Sequence, residues 1–492
     1  VKRKSKRQLR KKDDIWLIKD IRRNWLFWLL SAISLPTIFL FMKAHLSYPD
    51  GIGYFVYTRS LVLDRDLDFA NDLELFGVSL EGKFFHRTKT DHISSPFAIG
   101  TSLVQIPLFL FSHSLILFAN LFLSKQAIIS TSGTSYLHLF SYSLTGPIFG
   151  LLALILSFRI ARRWFGPFCS LPAICCIFIG SPLFFCFYWM PNYSHLIDAF
   201  AISLFLLMWI ESKDRDWFWW FLFGLSFGFC ALVRWQNVIL GILLLIPLRL
   251  TPRLLSFLLG SLLAFSPQLI VWKIVYGEVF FIPQGEEYMR WTQPEIINSL
   301  FSSWHGLYSW TPILLFSTIG LFLLWKIEKR VSLGFLIIFL IQVYVNSCVA
   351  DWWAGLSFSA RRLTGLTPIF VVGLAAFFSL CKRKVLYIPI LLSLFWSQLL
   401  VISMLNAPDF LSEYRSYSEL IKIQLNTLSH IRENFSVLSS FGPLSFLSKY
   451  QFDKSVSIII TILYIAFSII FFFLLRVGYA IITKLCDHTK HL

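Results

Sequence analysis

Asp50 stands in the run Tyr48-Pro49-Asp50-Gly51-Ile52-Gly53-Tyr54, between a proline and a glycine that are expected to fix a turn and leave the carboxylate uncrowded. A carboxylate so placed can take a proton from an attacking hydroxyl or hold a divalent metal. The bland alternative is a solvated loop acid or a helix cap. Downstream, Asp64, Asp66, Asp68 and Asp72 lack the turn glycine and terminal Glu of a calcium loop, so a solvated cluster at a helix end is expected there. Another acid, Asp198, follows His195 by one helical turn in Asn192-Tyr193-Ser194-His195-Leu196-Ile197-Asp198. It either favours the dipole of a helix start or serves as a second active acid, and the sequence leaves both open.

The cations form a complementary set. Arg234 lies in Ala231-Leu232-Val233-Arg234-Trp235-Gln236-Asn237, and His305 in Ser302-Ser303-Trp304-His305-Gly306-Leu307-Tyr308. Arg361-Arg362 follows Asp351-Trp352-Trp353-Ala354-Gly355. Arginine forks bind phosphate oxygens bidentately. Taken singly, each arginine could merely snorkel to lipid headgroups. Several such sites on one face would instead argue for a bound anion, which makes their placement the question.

The elements that must place them are membrane spans. Of 492 residues, 56% are hydrophobic and only 14% charged, against roughly 25% charged in soluble domains. The 52 Phe, 18 Trp and 17 Tyr suit lipid-facing surfaces and interfacial belts. Apolar runs near the roughly 20 residues that a spanning helix needs occur at 25–42, 101–123, 139–158, 166–187, 195–210, 217–233, 236–248, 254–275, 309–325, 332–349, 364–381, 385–404 and 456–475. The first is too long for a signal peptide and lacks a small-residue cleavage site, so it is expected to remain.

Charge decides which runs cross. The net charge of +17 is led by Lys2, Arg3, Lys4, Lys6, Arg7, Arg10, Lys11 and Lys12 before the first span. So placed, they read as a cytoplasmic anchor to anionic lipid rather than a nucleic-acid patch. If 101–123 crossed, the later clusters Arg159/Arg162/Arg163, Lys213/Arg215, Arg249/Arg253, Lys326/Lys329/Arg330 and Lys382-Arg383-Lys384 would all lie outside. If that run, interrupted by Pro107 and His113, dips in and returns, all lie inside. The expectation is therefore an all-α polytopic membrane protein with about twelve transmembrane helices, re-entrant or juxtamembrane helices in the first outer loop, and both termini cytoplasmic. A basic tail (1–24) precedes one membrane domain (25–404) with its outer loop 43–98; an outer-face loop (405–455) and a last helix with tail (456–492) follow. This topology puts 43–98, 188–194, 276–308 and 350–363 outside; Asp50, His305, Arg361 and Arg362 lie in these segments, and His195, Asp198 and Arg234 at the outer ends of spans. The eight cysteines lie mostly in apolar runs without metal-ligand spacing, which argues against a disulfide framework or zinc site.

The order of these segments resembles the GT-C superfamily of integral membrane glycosyltransferases, in its protein O-mannosyltransferase and aminoarabinose-transferase branch. The matching pieces are Asp50 with Gly53-Tyr54, Ser94-Ser95-Pro96-Phe97-Ala98-Ile99-Gly100 leading to Pro107, Gly180-Ser181-Pro182 before His195–Asp198, Leu232-Val233-Arg234, Trp304-His305-Gly306-Leu307, and Trp352-Trp353-Ala354-Gly355 through Arg361-Arg362. The resemblance implies a polyprenyl-phosphate sugar as donor and inverting transfer to a lipid, glycan or protein acceptor. It implies a site on the periplasmic face of a bacterial inner membrane, with Asp50 as the catalytic acid of the first outer loop and Asp198 in reserve. Tyr54, His195, Arg234, His305, Arg361 and Arg362 would bind substrate. Gly51 stands where the family usually has a second acid, which puts metal binding in doubt and leaves Asp50 as a lone base; no cofactor is expected, with a divalent metal as the open alternative. A transporter, a flippase or a polymerase of lipid-linked glycans is the rival. Transporters usually place ionisable groups near mid-span, whereas spans such as 254–275 and 385–404 are nearly free of charge at their centres.

Overall fold

The computed structural model describes residues 33–34, 36–123, 128–212, 215–246, 252–381, 384–406, 413–430 and 442. The basic tail, most of the first expected span, the Lys382-Arg383 pair and the expected span 456–475 lie outside these residues. The chain divides into two compact units, residues 1–40 with 453–492, and residues 41–452; every element below belongs to the second.

Long apolar runs become helices because hydrocarbon offers the backbone no partner but itself. In the segment 43–98 these are α1 (Asp50–Arg59), continued by a π-helical turn (Ser60–Asp64), and α2 (Ala70–Glu74). Then come α3 (Ile99–Asn120), α4 (Tyr136–Ala161), α5 (Pro167–Gly180), α6 (Pro182–Trp189), α7 (His195–Glu211) and α8 (Trp217–Val233). A 3₁₀ helix (Trp235–Leu244) leads to α9 (Arg253–Tyr276), α10 (Ile296–Phe301), α11 (Leu307–Trp310), α12 (Ile313–Leu324) and α13 (Lys329–Cys348). A second 3₁₀ turn (Arg361–Leu366) opens α14 (Thr367–Leu380), followed by α15 (Tyr387–Asn406) and α16 (Tyr417–Ser429).

Among the described residues six helices are long and apolar enough to cross a membrane, or seven if α5 and α6 form one bent span. The count takes in neither 25–42 nor 456–475, which lie partly and wholly outside the described residues, and α8 and α12 are apolar but shorter; two further runs differ from the expectation. The expected span 166–187 breaks by 62° between α5 and α6, where Gly180 ends one helix and Pro182 starts the next, with Ser181 Oγ accepting from the Leu183 amide. Within the run 236–248 the described residues form the end of a 3₁₀ helix, Trp235–Leu244, rather than an α-helical span; Arg234, in extended backbone (φ −150°, ψ 109°), separates it from α8.

Packing between α8 and α9 brings the two backbones together. A Cβ on Gly224 would lie 2.0 Å from the Phe257 carbonyl oxygen and one on Gly260 2.2 Å from that of Phe221. Small residues four apart on α8, Gly224 and Gly228, let the backbones meet in this way. On the far side of α9, Leu255, Leu258, Leu259, Leu262, Leu263 and Ile270 are each more than half exposed, a surface suited to lipid.

The ends of α7 give the bundle its polarity. At its C-terminal end Arg163 and Arg215 both reach Glu211, and Arg330 lies 4.7 Å over the Trp209 ring. At its N-terminal end stand His195 and Asp198. The basic clusters around 163, 215 and 330 thus share one end, about 25 Å along α7 from the other. Helix α3 keeps to the second end. It begins against α1, where Thr58 Oγ1 donates to the Ser102 carbonyl and Ser102 Oγ to that of Tyr54. Beyond its C-terminus, Asn120 bonds Ile129 in both directions, and the Ser132 carbonyl accepts from Arg59 Nε at 2.7 Å.

The segment 43–98 is folded, not an open loop. Phe55, Tyr57, Phe69, Leu73 and Phe85 are fully buried with Trp272, Val275 and Tyr276 of α9 in one apolar cluster. Thr88 and Thr90 donate to the Val275 carbonyl, and the Tyr276 hydroxyl donates to that of Ser95. Here the expectation of a wholly solvated acidic cluster needs correcting. Asp66 and Asp68 do accept from nearby loop groups, but Asp72 is fully buried. It shares Arg59 Nη1 with Asp64, at 2.7 and 2.6 Å. Burial pushes the Asp72 carboxyl up to about 7, the pull of Arg59 notwithstanding.

Candidate active site

Pro49 precedes α1, and Asp50 is its first residue, where a carboxylate complements the helix dipole. The expected turn is therefore a helix start, and Gly51 lies inside the helix. Its role is steric: a Cβ there would lie 3.1 Å from Asn192 Oδ1 and 3.3 Å from the Tyr193 ring. The glycine lets α1 lie against the turn between α6 and α7.

That approach brings Asp50 to Arg361. Asp50 Oδ2 and Arg361 Nη2 are 2.9 Å apart, with side chains 20% and 12% exposed. The Arg361 guanidinium also lies 5.1 Å over the Tyr193 ring, and its Nη1 is 3.8 Å from Met190 Sδ. Its Nε is buried without an acceptor among the described residues. Next to it, the Tyr54 hydroxyl donates to Ser194 Oγ at 3.0 Å. Burial foremost, with Asp50 adding to it, pushes that phenol up to about 12, so Tyr54 remains a donor at neutral pH.

A second arginine is built into the adjoining layer. Arg234 Nη1 donates to His195 Nδ1 at 2.9 Å and lies 3.7 Å from Asp198 Oδ2. The His195 proton then sits on Nε2, because the arginine can only donate. Asn237 Nδ2 donates to Asp198 Oδ1 at 2.6 Å, and Gln342 Nε2 reaches Asn237 Oδ1 at 3.4 Å. Asp198 is thus neither a bare cap nor an open acid; it is a buried partner of Arg234. Gly365 closes the group: a Cβ there would stand 2.3 Å from Asp198 Oδ2. The turn that carries Arg361 therefore rests directly on Asp198.

Of the residues singled out from sequence, Asp50, Tyr54, His195, Asp198, Arg234 and Arg361 form one cluster, bridged by Tyr193 and Ser194. Arg362 turns the other way, to Asp351, with 2.9 Å to its carboxylate and 2.7 Å to its carbonyl. It remains within electrostatic range of His195. His305 is buried and stacked on Trp310 at 4.6 Å and 11°, and Trp310 in turn packs on Phe358, three residues before Arg361. Sequence reasoning passed over Asn237, Tyr193, Gln342 and Gly365. Asn237 carried a signal, being an amide in an apolar run three residues after Arg234; Gln342 and Gly365 carried none.

Chemically, this arrangement can hold an anion and accept a proton in one place. Arg361 and Arg234 supply forked donors, and Asp50 supplies a carboxylate that one of those forks already grips. No protein-family model matches the chain, and no curated protein sequence does. Among solved structures, the chain is similar to the crystal structure of ArnT from Cupriavidus metallidurans in the apo state. The match covers 94% of this chain and 77% of that one, at a TM-score of 0.46 and 14% identity. The residues, and not this likeness, carry the function argued below.

Proposed function

We propose that this chain is an integral membrane glycosyltransferase, which transfers a sugar with inversion from a polyprenyl-phosphate donor to a lipid, glycan or protein acceptor. The observation that carries this reading is the Asp50–Arg361 pair, 2.9 Å apart, on a guanidinium that retains an unused buried donor. Both groups have work in such a transfer. The lipid phosphate leaves as an anion and needs cationic donors, while the attacking hydroxyl must lose a proton as the new bond forms. A positioned carboxylate contributes roughly 10²–10⁴-fold by accepting it. Arg361 and Arg234 take the phosphate, Tyr54 and His195 line the site, and Asp50 is the base.

The reading includes a topology. The basic end of α7 is cytoplasmic and the Asp50 end faces the periplasm of a bacterial inner membrane, with both termini cytoplasmic and about twelve crossings. Helix α3 enters from the outer side and returns to it, which its contacts with Thr58 at one end and the Arg59–Ser132 bond beyond the other support. No cofactor is assigned. Asp50 is balanced by a guanidinium, and the described residues bring no three metal-ligating side chains together.

The test is transfer by the purified protein in lipid nanodiscs, with polyprenyl-phosphate sugars as donors and membrane extracts as acceptors. Asp50→Asn keeps the size and removes the base, so transfer should fall by at least about 10²-fold with folding unchanged. Near-normal transfer by that variant would refute the assignment.

A further inference from the structure

We propose that Trp304, Trp352 and Trp353 form a binding subsite for a sugar ring, which makes the acceptor a glycan. The role as acceptor rests on the transferase reading above; the binding itself does not.

Two loops meet here. Trp304 and Trp353 stack at 4.2 Å and 16°, and Trp352 stands nearly perpendicular to both, at 6.2 Å and 83° and at 5.8 Å and 86°. Tyr414, 64% exposed, closes the wall edge-on to Trp304 at 6.4 Å. At its foot, the Asp351 carboxylate is 42% exposed and held by Arg362 at 2.9 Å. The Trp304 indole N–H is buried and finds no acceptor among the described residues.

A pyranose presents an apolar C–H face and a rim of hydroxyls. Flat indole faces take the first, and a carboxylate with a fixed guanidinium takes the second. Indoles that merely anchor a protein at the interface place their N–H among lipid headgroups; these are instead locked against one another by their loops. The backbone shows the same investment. His305 (φ 61°), Ala354 (φ 65°) and Ser359 (φ 53°) are all left-handed non-glycine residues, and they lie in the two loops that carry the indoles. Strain of this kind persists where surrounding structure holds a side chain to a task. The wall also stands beside the candidate active site, because Arg362 at its foot follows Arg361 directly.

The experiment is saturation-transfer NMR on the full chain in nanodiscs, irradiating aromatic protons in the presence of chitobiose or cellobiose. At least one disaccharide should receive saturation at its ring C–H protons. Trp304→Ala and Trp353→Ala should each weaken binding by about threefold to tenfold. Asp351→Asn, which leaves the indoles in place, should weaken it as well and decides the matter if an indole variant misfolds. Asp50→Asn protein, unable to transfer, should bind as the unaltered chain does, which separates this proposal from the transferase reading. Absence of transfer to both disaccharides, or binding unchanged in the folded variants, would overturn it.

Discussion

Asp50 and Arg361 neutralise one another across the candidate site, Oδ2 to Nη2 at 2.9 Å. On the proposed function, an arriving phosphate competes with Asp50 for Arg361 and frees the carboxylate at the moment a base is needed. Asp50→Asn removes the competitor and leaves the cation. Polyprenyl phosphate should bind this variant more tightly than the unaltered chain, although transfer is lost. Arg361→Ala should bind it more weakly, since charge-assisted contacts are worth roughly 1.5–3 kcal/mol each. Titration of polyprenyl phosphate into nanodisc-embedded protein reads both signs; weaker binding by Asp50→Asn would contradict the competition.

The second expectation concerns Gly365. A methyl group there would stand 2.3 Å from Asp198 Oδ2, so Gly365→Ala must move either that buried carboxylate or the turn bearing Arg361. Misplacement of catalytic groups by about 1 Å can cost on the order of 10²-fold in rate, and a loss of that size is expected. Gly166→Ala is the control, since its added Cβ meets nothing within 4 Å and its φ is −57°. Asn237→Leu should act in the same direction as Gly365→Ala by stripping the 2.6 Å bond from Asp198. Unaltered transfer rates in both site variants would dismiss the layer as mere packing.

A third expectation follows from Asp72. Its carboxyl is raised from 3.8 to about 7 by burial, so the folded state holds the proton more tightly than the unfolded state does. The resulting stabilisation of the segment 43–98 is complete below about pH 4, falls as pH rises through 7, and is level above that. Protection of residues 43–98 from added protease should decline from pH 5 to 7.5, and Asp72→Asn should flatten the dependence. Arg59→Ala leaves two carboxylates without their shared cation. Above pH 7, where Asp72 is ionised, it should cost roughly 3–5 kcal/mol, as breaking a buried pair does, and expose the segment.

How much of this was legible beforehand depends on the property read. Apolar runs located α3, α4, α7, α9, α13 and α15 to within a few residues, because hydropathy measures transfer to hydrocarbon and those helices are the elements that make it. The same measure is blind to φ and ψ, so it ran through Ser181 and treated 236–248 as one more span. Charge placement picked out Asp50, Arg234 and Arg361 as residues of one face, yet pairing across so much chain lies in no local pattern. The Pro-Gly flanks of Asp50 read as a turn, since spacing cannot tell a glycine that bends the chain from one that lets Tyr193 approach. Asp72 looked solvated for a similar reason: its partner, Arg59, lies on another helix.

The last expectation concerns α3, whose 22 residues would reach about 33 Å and suffice to cross a bilayer. Length alone therefore favours a crossing, which would put the residues after it in the cytoplasm. The contacts argue the other way. Arg59, five residues before Asp64 in the segment 43–98, donates to the Ser132 carbonyl at 2.7 Å. Gly133 lies close to Leu63, since a Cβ there would be 3.0 Å from Leu63 Cδ1. Ser132 and Gly133 thus lie against the segment that carries Asp50, which in the proposed topology puts them on its side of the membrane. A cysteine-free chain carrying Ser130→Cys, at an exposed position, should react with a membrane-impermeant maleimide in intact spheroplasts as readily as the controls Ser79→Cys and Lys89→Cys, at exposed positions of segment 43–98. If Ser130→Cys stays protected until the membrane is opened while those controls label, α3 crosses and the twelve-span arrangement is wrong. If all three label alike, the charge argument from the five downstream basic clusters and the contact argument from Arg59 stand on the same answer.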